Sequence, residues 1–200
     1  MKVTVIIPTY NEIENIESIL RAVRASVPDA ELLVVDDNSP DGTGQQAEKT
    51  ADEIGRVRVL HRSVKEGLGT AYRDAFKLVM SGDTEVIVTM DADFSHDPET
   101  IPQFLLAISS GAEIVVGSRY ITNGMSVNWP LHRLLLSKWG NRYTAFMLKL
   151  NVHDCTTGFR AFTTDSLRKI GALNTVSQGY AFQTEILFLA NSNSKIETVE

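Results

Sequence analysis

Short runs of β-branched and other apolar residues alternate along this chain with stretches whose apolar residues recur every three or four positions. That alternation limits the fold more than any other feature. Val3 to Ile7 precedes Ile16, Ile19, Leu20 and Val23 at helical spacing, and Leu32 to Val35 precedes a helix opening near Thr43. Val57 to Leu60 is followed by Gly67-Leu68-Gly69 and a helix through Ala71, Ala75, Phe76 and Val79. Val86 to Met90 precedes Ile101, Phe104, Leu105 and Ile108, and Ile114 to Gly117 makes a fifth run. Runs this short and this apolar suit strands buried on both faces, as in a parallel sheet crossed by helices. The expected fold is α/β: a doubly wound, mostly parallel sheet whose first 120 residues form a Rossmann-like, nucleotide-binding half. The chain has 200 residues, 43% of them apolar, which suits one domain with a substantial core. No internal repeat, low-complexity tract or linker divides it.

Beyond Tyr120 the pattern changes, and residues 121–200 make a second part of the same domain. A polar loop, Thr122 to Asn128, leads through Trp129-Pro130 into a helix reaching about Leu150. Leu131, Leu135, Trp139, Tyr143, Phe146 and Leu150 form one stripe, with Lys138, Arg142 and Lys149 along its edge. Two readings of the stripe stand: a core helix with a solvated charged edge, or an amphipathic helix lying on an anionic membrane surface. No apolar run approaches the roughly 18 residues of a membrane span, and Val3 to Ile7 is too short for a signal-peptide core. A single cysteine, Cys155, excludes an intrachain disulfide and fits a reducing cytosol. Nineteen basic and twenty-five acidic residues give a net charge of −6, so no nucleic-acid partner is expected from overall charge, and an anionic ligand needs locally placed arginines. The chain stops at KIETVE within a strand pattern, as a partial or truncated chain would.

Sheets of this kind hold ligands beyond the carboxyl ends of their strands. The residues there form a coherent set: Pro8-Thr9-Tyr10-Asn11-Glu12, Asp36-Asp37-Asn38-Ser39-Pro40-Asp41-Gly42, Lys65-Glu66-Gly67-Leu68-Gly69 and Asp91-Ala92-Asp93. The last is the most informative. Two carboxylates at the end of a buried strand are costly unless a cation meets them. A hard divalent ion bridging a substrate diphosphate answers that need, because Mg²⁺ takes one or two carboxylates together with phosphate oxygens and water. The alternative is a pair of solvated acids ahead of a helix opening at Pro98. Neither a GxGxxG nor a P-loop fingerprint follows the first strand, which removes the main support for those nucleotide folds. His61, His96, His132 and His153 lack metal-ligand spacing and are expected to be structural or exposed.

In order, IIPTYNE, VVDDNSPDGT, GLGTAYRDAF, MDADFSHDPE, VGSRY, NWPLHR, TTGFRAF and GYAFQTE closely resemble the dolichyl or polyprenyl monophosphate mannose synthases, family 2 glycosyltransferases of the GT-A fold. The resemblance covers nearly the whole chain. It implies transfer of mannose from GDP-mannose to a prenyl monophosphate, with inversion and with Mg²⁺ or Mn²⁺ as cofactor. Pro8, Tyr10, Glu12, Val35 and Asp37 would hold the nucleoside, Asp37 accepting from the base, a role for which a carboxylate facing two N–H donors suits guanine. Asp91, Ala92 and Asp93 would contact the diphosphate and the metal, and Ser95, where some relatives carry glutamine, would be a shorter ligand acting directly or through water. Arg119 and Arg133 match arginines that grip phosphate, a task suited to bidentate guanidinium forks. Asp91, Asp93, Arg119 and Arg133 are thus the expected catalytic set. Asp154, Thr156, Thr157, Gly158 and Arg160 would form an acceptor-side loop, with Gln183 and Glu185 at the sugar pocket, although Glu185 also suits the first turn of a helix. A phosphate monoester is largely dianionic at neutral pH, its second pKa being about 6, so such an acceptor needs no general base. The lipid acceptor implies a cytoplasmic protein peripheral to a membrane face, aided by an anchoring partner or a further C-terminal segment. Two rivals remain: glucosyl transfer from UDP-glucose to the same acceptor, and a noncatalytic sugar-nucleotide-binding subunit.

Overall fold

The computed structural model describes residues 1–118, 131–150, 152, 154–191 and 196–199, with backbone alone for 131–138 and 197–199. Among the described residues seven strands form one sheet: β1 (Val3–Thr9), β2 (Glu31–Asp36), β3 (Val57–His61), β4 (Val86–Thr89), β5 (Ile114–Gly117), β6 (Arg160–Thr163) and β7 (Ile196–Val199). Their spatial order is β3-β2-β1-β4-β6-β5-β7. All neighbours run parallel except β6, which lies antiparallel between β4 and β5. Residues 1–120 thus supply five strands, as expected, but the sheet crosses the division near residue 120: a strand from the second part splits β4 from β5. The two parts are sequential in the chain and interleaved in space.

The strands lack polar alternation because helices cover both faces. Val5 and Ile7 belong to one core layer with Ile16, Ile19, Leu20 and Val23 of α1 (Ile16–Ser26), Ala47 of α2 (Thr43–Ile54) and Phe104 of α4 (Ile101–Ser109). Ile6, between them, belongs to the opposite layer with Tyr72 and Phe76 of α3 (Leu68–Met80) and Phe182 of α7 (Gly179–Asn191). That is the two-residue period of a strand, here with both faces apolar. Tyr72 and Phe182 stack at 5.4 Å between ring centroids and Phe162 of β6 meets Phe76 edge-on at 6.0 Å. Fully burying an aliphatic or aromatic side chain of this kind contributes roughly 1.5–3 kcal/mol.

Two further helices belong to the second part, α5 (Leu131–Met147) and the short α6 (Thr164–Lys169). Of the described stripe residues only Leu150, just past the end of α5, is in the core; Trp139 is 76% exposed, Phe146 is 79% exposed, and Tyr143 is exposed as well. Within the described part of α5 the buried residue is Asn141, whose Oδ1 accepts the Cys155 N–H at 2.8 Å. Periodicity identifies residues that share a face, but says nothing about what covers that face.

Two glycines separate packing from propensity. A Cβ at Gly69, in the first turn of α3, would stand 2.3 Å from the Ser177 carbonyl oxygen, whereas one at Gly140 in α5 meets nothing within 4 Å. Urea denaturation should therefore show Gly69→Ala destabilised by about 1–3 kcal/mol through overpacking, and Gly140→Ala stabilised by about 0.5–1 kcal/mol through helix propensity.

Candidate active site

Parallel register brings the ends of β1, β2 and β3 level, with Thr9 opposite Asp36 and Asp36 opposite His61. The loops beyond them are tied together by polar contacts. Asn11, at φ 58°, donates its N–H to Ser39 Oγ at 3.1 Å; the Glu12 N–H reaches Thr43 Oγ1 at 2.9 Å, and that of Ile13 reaches Asp41 Oδ2 at 3.2 Å. Burial opposes the charge of Asp41, but donors from Thr43 and Ile13 outweigh it and hold the carboxyl below its usual range. Asp36 Oδ2 accepts from the Ser39 N–H at 3.2 Å. Much of the Asp-Asn-Ser-Pro-Asp-Gly run is therefore turn architecture.

The residues expected to hold a nucleoside divide by function in the fold. Val35 is fully buried in the core, so only its backbone belongs to the strand end, while Pro8 lies opposite it on β1. Glu12 Oε2 accepts from Asn15 Nδ2 at 2.9 Å, and its carbonyl receives the Ile16 N–H that opens α1. Tyr10 is partly exposed, with Lys65 Nζ 3.3 Å above its ring, a favourable cation–π contact. Asp37, just past β2, is buried; it is paired with Arg62 and accepts the Gly67 N–H at 3.3 Å.

One strand beyond β1, β4 delivers Asp91-Ala92-Asp93. Ala92 is buried and fixes the turn in the core, leaving Asp91 half-exposed and Asp93 exposed. The Asp91 N–H donates to His96 Nδ1 at 3.0 Å. His96 is buried and stacks on Phe159 at 5.0 Å and 14°, and Phe159 packs on Phe104 at 4.5 Å. With Nδ1 accepting, the imidazole carries its proton on Nε2, 3.8 Å from Asp91 Oδ2. Asp93 Oδ1 accepts the Ser95 N–H at 3.0 Å. Burial opposes ionisation of Asp93, yet the Ser95 hydroxyl and N–H prevail and keep its carboxyl below the usual range. Ser95 therefore turns toward Asp93 and orients it.

The loop ahead of β6 presses on this turn. Thr89 Oγ1 donates to the Gly158 carbonyl at 2.7 Å, and a Cβ at Gly158 would come within 3.1 Å of Asp91 Oδ1. Asp154 is buried, and its Oδ1 accepts the N–H groups of Thr156 and Thr157 at 3.1 and 3.2 Å. Arg160 departs from expectation: it is fully buried, donating from Nη1 to the Gln183 carbonyl at 2.7 Å and from Nη2 to the Cys155 carbonyl at 3.0 Å. Burial pushes its pKa down to about 10. Glu185 accepts the Val176 and Ser177 N–H groups, so the Arg160 and Glu185 side chains brace the fold; Gln183 is buried and takes part through its backbone carbonyl. Arg119, the side chains of Arg133 and His132, and His153 lie outside the described residues.

The donor set suits a shared metal. Among the described residues no group of three or more His, Cys, Asp or Glu could hold an ion alone. Two carboxylates and a hydroxyl on an accessible turn match a hard ion that takes its remaining ligands from a diphosphate and water, and do not match a closed zinc site. Two contributors escaped the sequence: His96, whose role depends on Phe159 some sixty residues away in the chain, and Arg62. Arg62 follows β3 at a strand end, the one signal that marked it.

His96→Phe retains the stack on Phe159 but leaves the Asp91 N–H without its acceptor, and chemical denaturation should show a loss of about 1–3 kcal/mol. The same change at His61, which is partly exposed beside Glu48, should stay within about 0.5 kcal/mol.

The Glycosyl transferase family 2 profile matches residues 4–171. Among curated proteins, the chain is 46% identical over 188 residues to the undecaprenyl-phosphate mannosyltransferase of Micrococcus luteus, covering 94% of this chain and 77% of that protein. It is 45% identical over 190 residues to the polyprenol monophosphomannose synthase of Mycolicibacterium smegmatis, covering 94% and 72%. Among solved structures, the glucosyl-3-phosphoglycerate synthase of Mycobacterium tuberculosis, in complex with Mn²⁺, UDP and glucosyl-3-phosphoglycerate, matches with a TM-score of 0.71 at 21% identity, over 99% of this chain and 69% of that one. A mannosyltransferase of Pyrobaculum calidifontis in complex with GDP-Man and Mn²⁺ matches with a TM-score of 0.67 at 19% identity, over 99% and 54%. The fold is that of the GT-A glycosyltransferases. With the profile spanning most of its length and relatives above 40% identity, the chain belongs to glycosyl transferase family 2.

Proposed function

We propose that this protein transfers mannose from GDP-mannose to a prenyl monophosphate, inverting the anomeric carbon, at a membrane surface. The observation that carries the reading is the placement of two acidic sites at one sheet edge. Asp37 follows β2, Asp91-Ala92-Asp93 follows β4, and β1 alone lies between the two strands. Two strand spacings are about 10 Å, a reach suited to a nucleoside diphosphate laid across the end of β1, past Pro8 and Tyr10. Mannose as the sugar and a prenyl phosphate as the acceptor agree with the names of the two relatives, and guanine is assigned to Asp37 because a carboxylate can accept from two adjacent N–H donors.

Asp91 and Asp93, with Ser95 directly or through water, would hold Mg²⁺ or Mn²⁺, which would supply positive charge to offset the negative charge developing on the leaving diphosphate. Ser95 and His96 fix those carboxylates before the donor arrives, so little reorganisation is left for the reaction. Arg119 and Arg133 are assigned to the phosphates. The acceptor phosphate attacks as an anion, so no side chain has to take a proton. A UDP-glucose donor would use the same metal site, but uracil offers a single ring N–H to Asp37. A noncatalytic binding subunit would gain nothing from the metal carboxylates.

The lipid side of the reading draws on α5. Trp139, Tyr143 and Phe146 are exposed on a helix that also carries Arg142, with Lys149 in the turn just past its end, and Asn141 ties that helix to the loop pressing on Asp91. Aromatic and basic side chains together suit the headgroup region of an anionic bilayer, which would place the acceptor phosphate beside the carboxylates. No helix among the described residues is long and apolar enough to cross a membrane.

Purified protein given a short prenyl phosphate should form product from GDP-mannose and not from UDP-glucose, and Asp93→Ala should cut turnover by about 10²–10³-fold or more. Calorimetry should show GDP binding that depends on Mg²⁺ or Mn²⁺; equal affinity in chelator would refute the metal role. In flotation assays with phosphatidylglycerol vesicles, the Trp139→Ser/Phe146→Ser double variant should bind about tenfold more weakly with GDP affinity unchanged. Undiminished vesicle binding would remove α5 from the interface.

A further inference from the structure

Arg62, immediately after β3, is the centre of a cluster of which the proposed function uses only Asp37. Its backbone N–H donates to the Asp36 carbonyl at 2.9 Å, fixing it to β2. Its side chain is only 5% exposed, and each guanidinium nitrogen meets a different carboxylate: Nη1 with Asp37 Oδ1, Nη2 with Glu66 Oε2 at 2.7 Å, and Nε with Asp74 Oδ2 at 3.0 Å. The three acids are not equivalent. Glu66 and Asp74 are 60% and 48% exposed and keep their water, whereas Asp37 is 8% exposed and depends on Arg62 for its counter-charge. Buried ion pairs of this kind add little stability over an apolar replacement, so a cluster with three acids on one base asks for another purpose.

The purpose follows from counting lone pairs. Each carboxylate oxygen offers about two acceptor positions. On Asp37, Arg62 engages Oδ1 and the Gly67 N–H engages Oδ2 at 3.3 Å. By that count one acceptor position on each oxygen is left, and the two contacts hold the carboxylate from both ends. We propose that Arg62 is a positioning residue for nucleobase selection: with Gly67 it locks Asp37 so that both oxygens together accept two adjacent N–H donors, the pattern of the N1–H and 2-amino group of guanine. Glu66 and Asp74 act as struts that hold the guanidinium plane. Uracil presents one ring N–H between two carbonyls and satisfies half of this arrangement. Hypoxanthine keeps N1–H and lacks the 2-amino group, which makes it the discriminating probe.

This inference rests on the assignment of Asp37 to the base, and the test separates the two. Calorimetry with GDP, IDP and UDP in Mn²⁺ would be run on the wild type, Arg62→Lys, Asp74→Asn and Asp37→Asn. Arg62→Lys retains charge without the fork and should narrow the GDP-over-IDP preference by about tenfold, the scale of one charge-assisted hydrogen bond. Its loss in turnover should appear in the KM for the donor rather than in kcat. Asp74→Asn removes a solvated strut and should narrow the preference by about threefold; it decides the matter if Arg62→Lys fails to fold. Equal weakening of GDP, IDP and UDP, or an unchanged preference, would reduce Arg62 to a structural ion pair. If Asp37→Asn abolishes the preference while Arg62→Lys preserves it, only the role of Arg62 falls; if Asp37→Asn also preserves it, the base assignment itself is wrong.

Discussion

Burial of the central strands on both faces is the constraint from which the rest of the molecule follows. Val5, Ile6 and Ile7 are all fully buried, on alternating sides, as are Leu32, Val34 and Val35 of β2. Strands packed this way have no solvated face on which to carry polar side chains, so charge collects at their ends. In a parallel arrangement the carboxyl ends of β1, β2, β3 and β4 open on the same edge. Four acidic or polar loops are thereby concentrated along one line, at the place where the proposed donor and its metal would sit.

The molecule meets the cost of those carboxylates in three different ways. Asp37 is buried and matched by a guanidinium. Asp91 remains half-exposed while its backbone is fixed by a buried imidazole. Asp93 stays near water and is steadied by Ser95. The gradient suits their assigned tasks: a group that reads a rigid heterocycle benefits from being immobile, whereas groups that share an ion with a departing phosphate need room for water.

How much of this was legible in the sequence depended on range. The first five strands and their helices were readable because Val3–Ile7, Leu32–Val35 and the others are mainly β-branched or apolar and bounded by turn residues, Arg58 being the one charged interruption. The Asp91-Ala92-Asp93 turn was readable for the same reason, as an interruption of such a run. β6 was not: its four residues, Arg160 to Thr163, include a charged side chain that becomes buried only because the Gln183 and Cys155 carbonyls accept from it. His96, Arg62 and the bracing role of Glu185 share that difficulty, each being defined by a partner on another element. The α5 stripe failed differently, since its spacing was right and its covering was not stated by any residue within it.

The antiparallel insertion of β6 has an evolutionary consequence. The chain leaves the sheet after β5 at Gly117 and re-enters on the adjacent strand, with Val116 opposite Arg160. Everything between is an excursion whose two roots are clamped side by side by backbone hydrogen bonds, next to the turn that bears Asp91. Such an excursion can be lengthened, shortened or exchanged while β1, β2 and β4 keep their register. The architecture thus gives a lineage a place to vary that leaves the shared sheet unchanged.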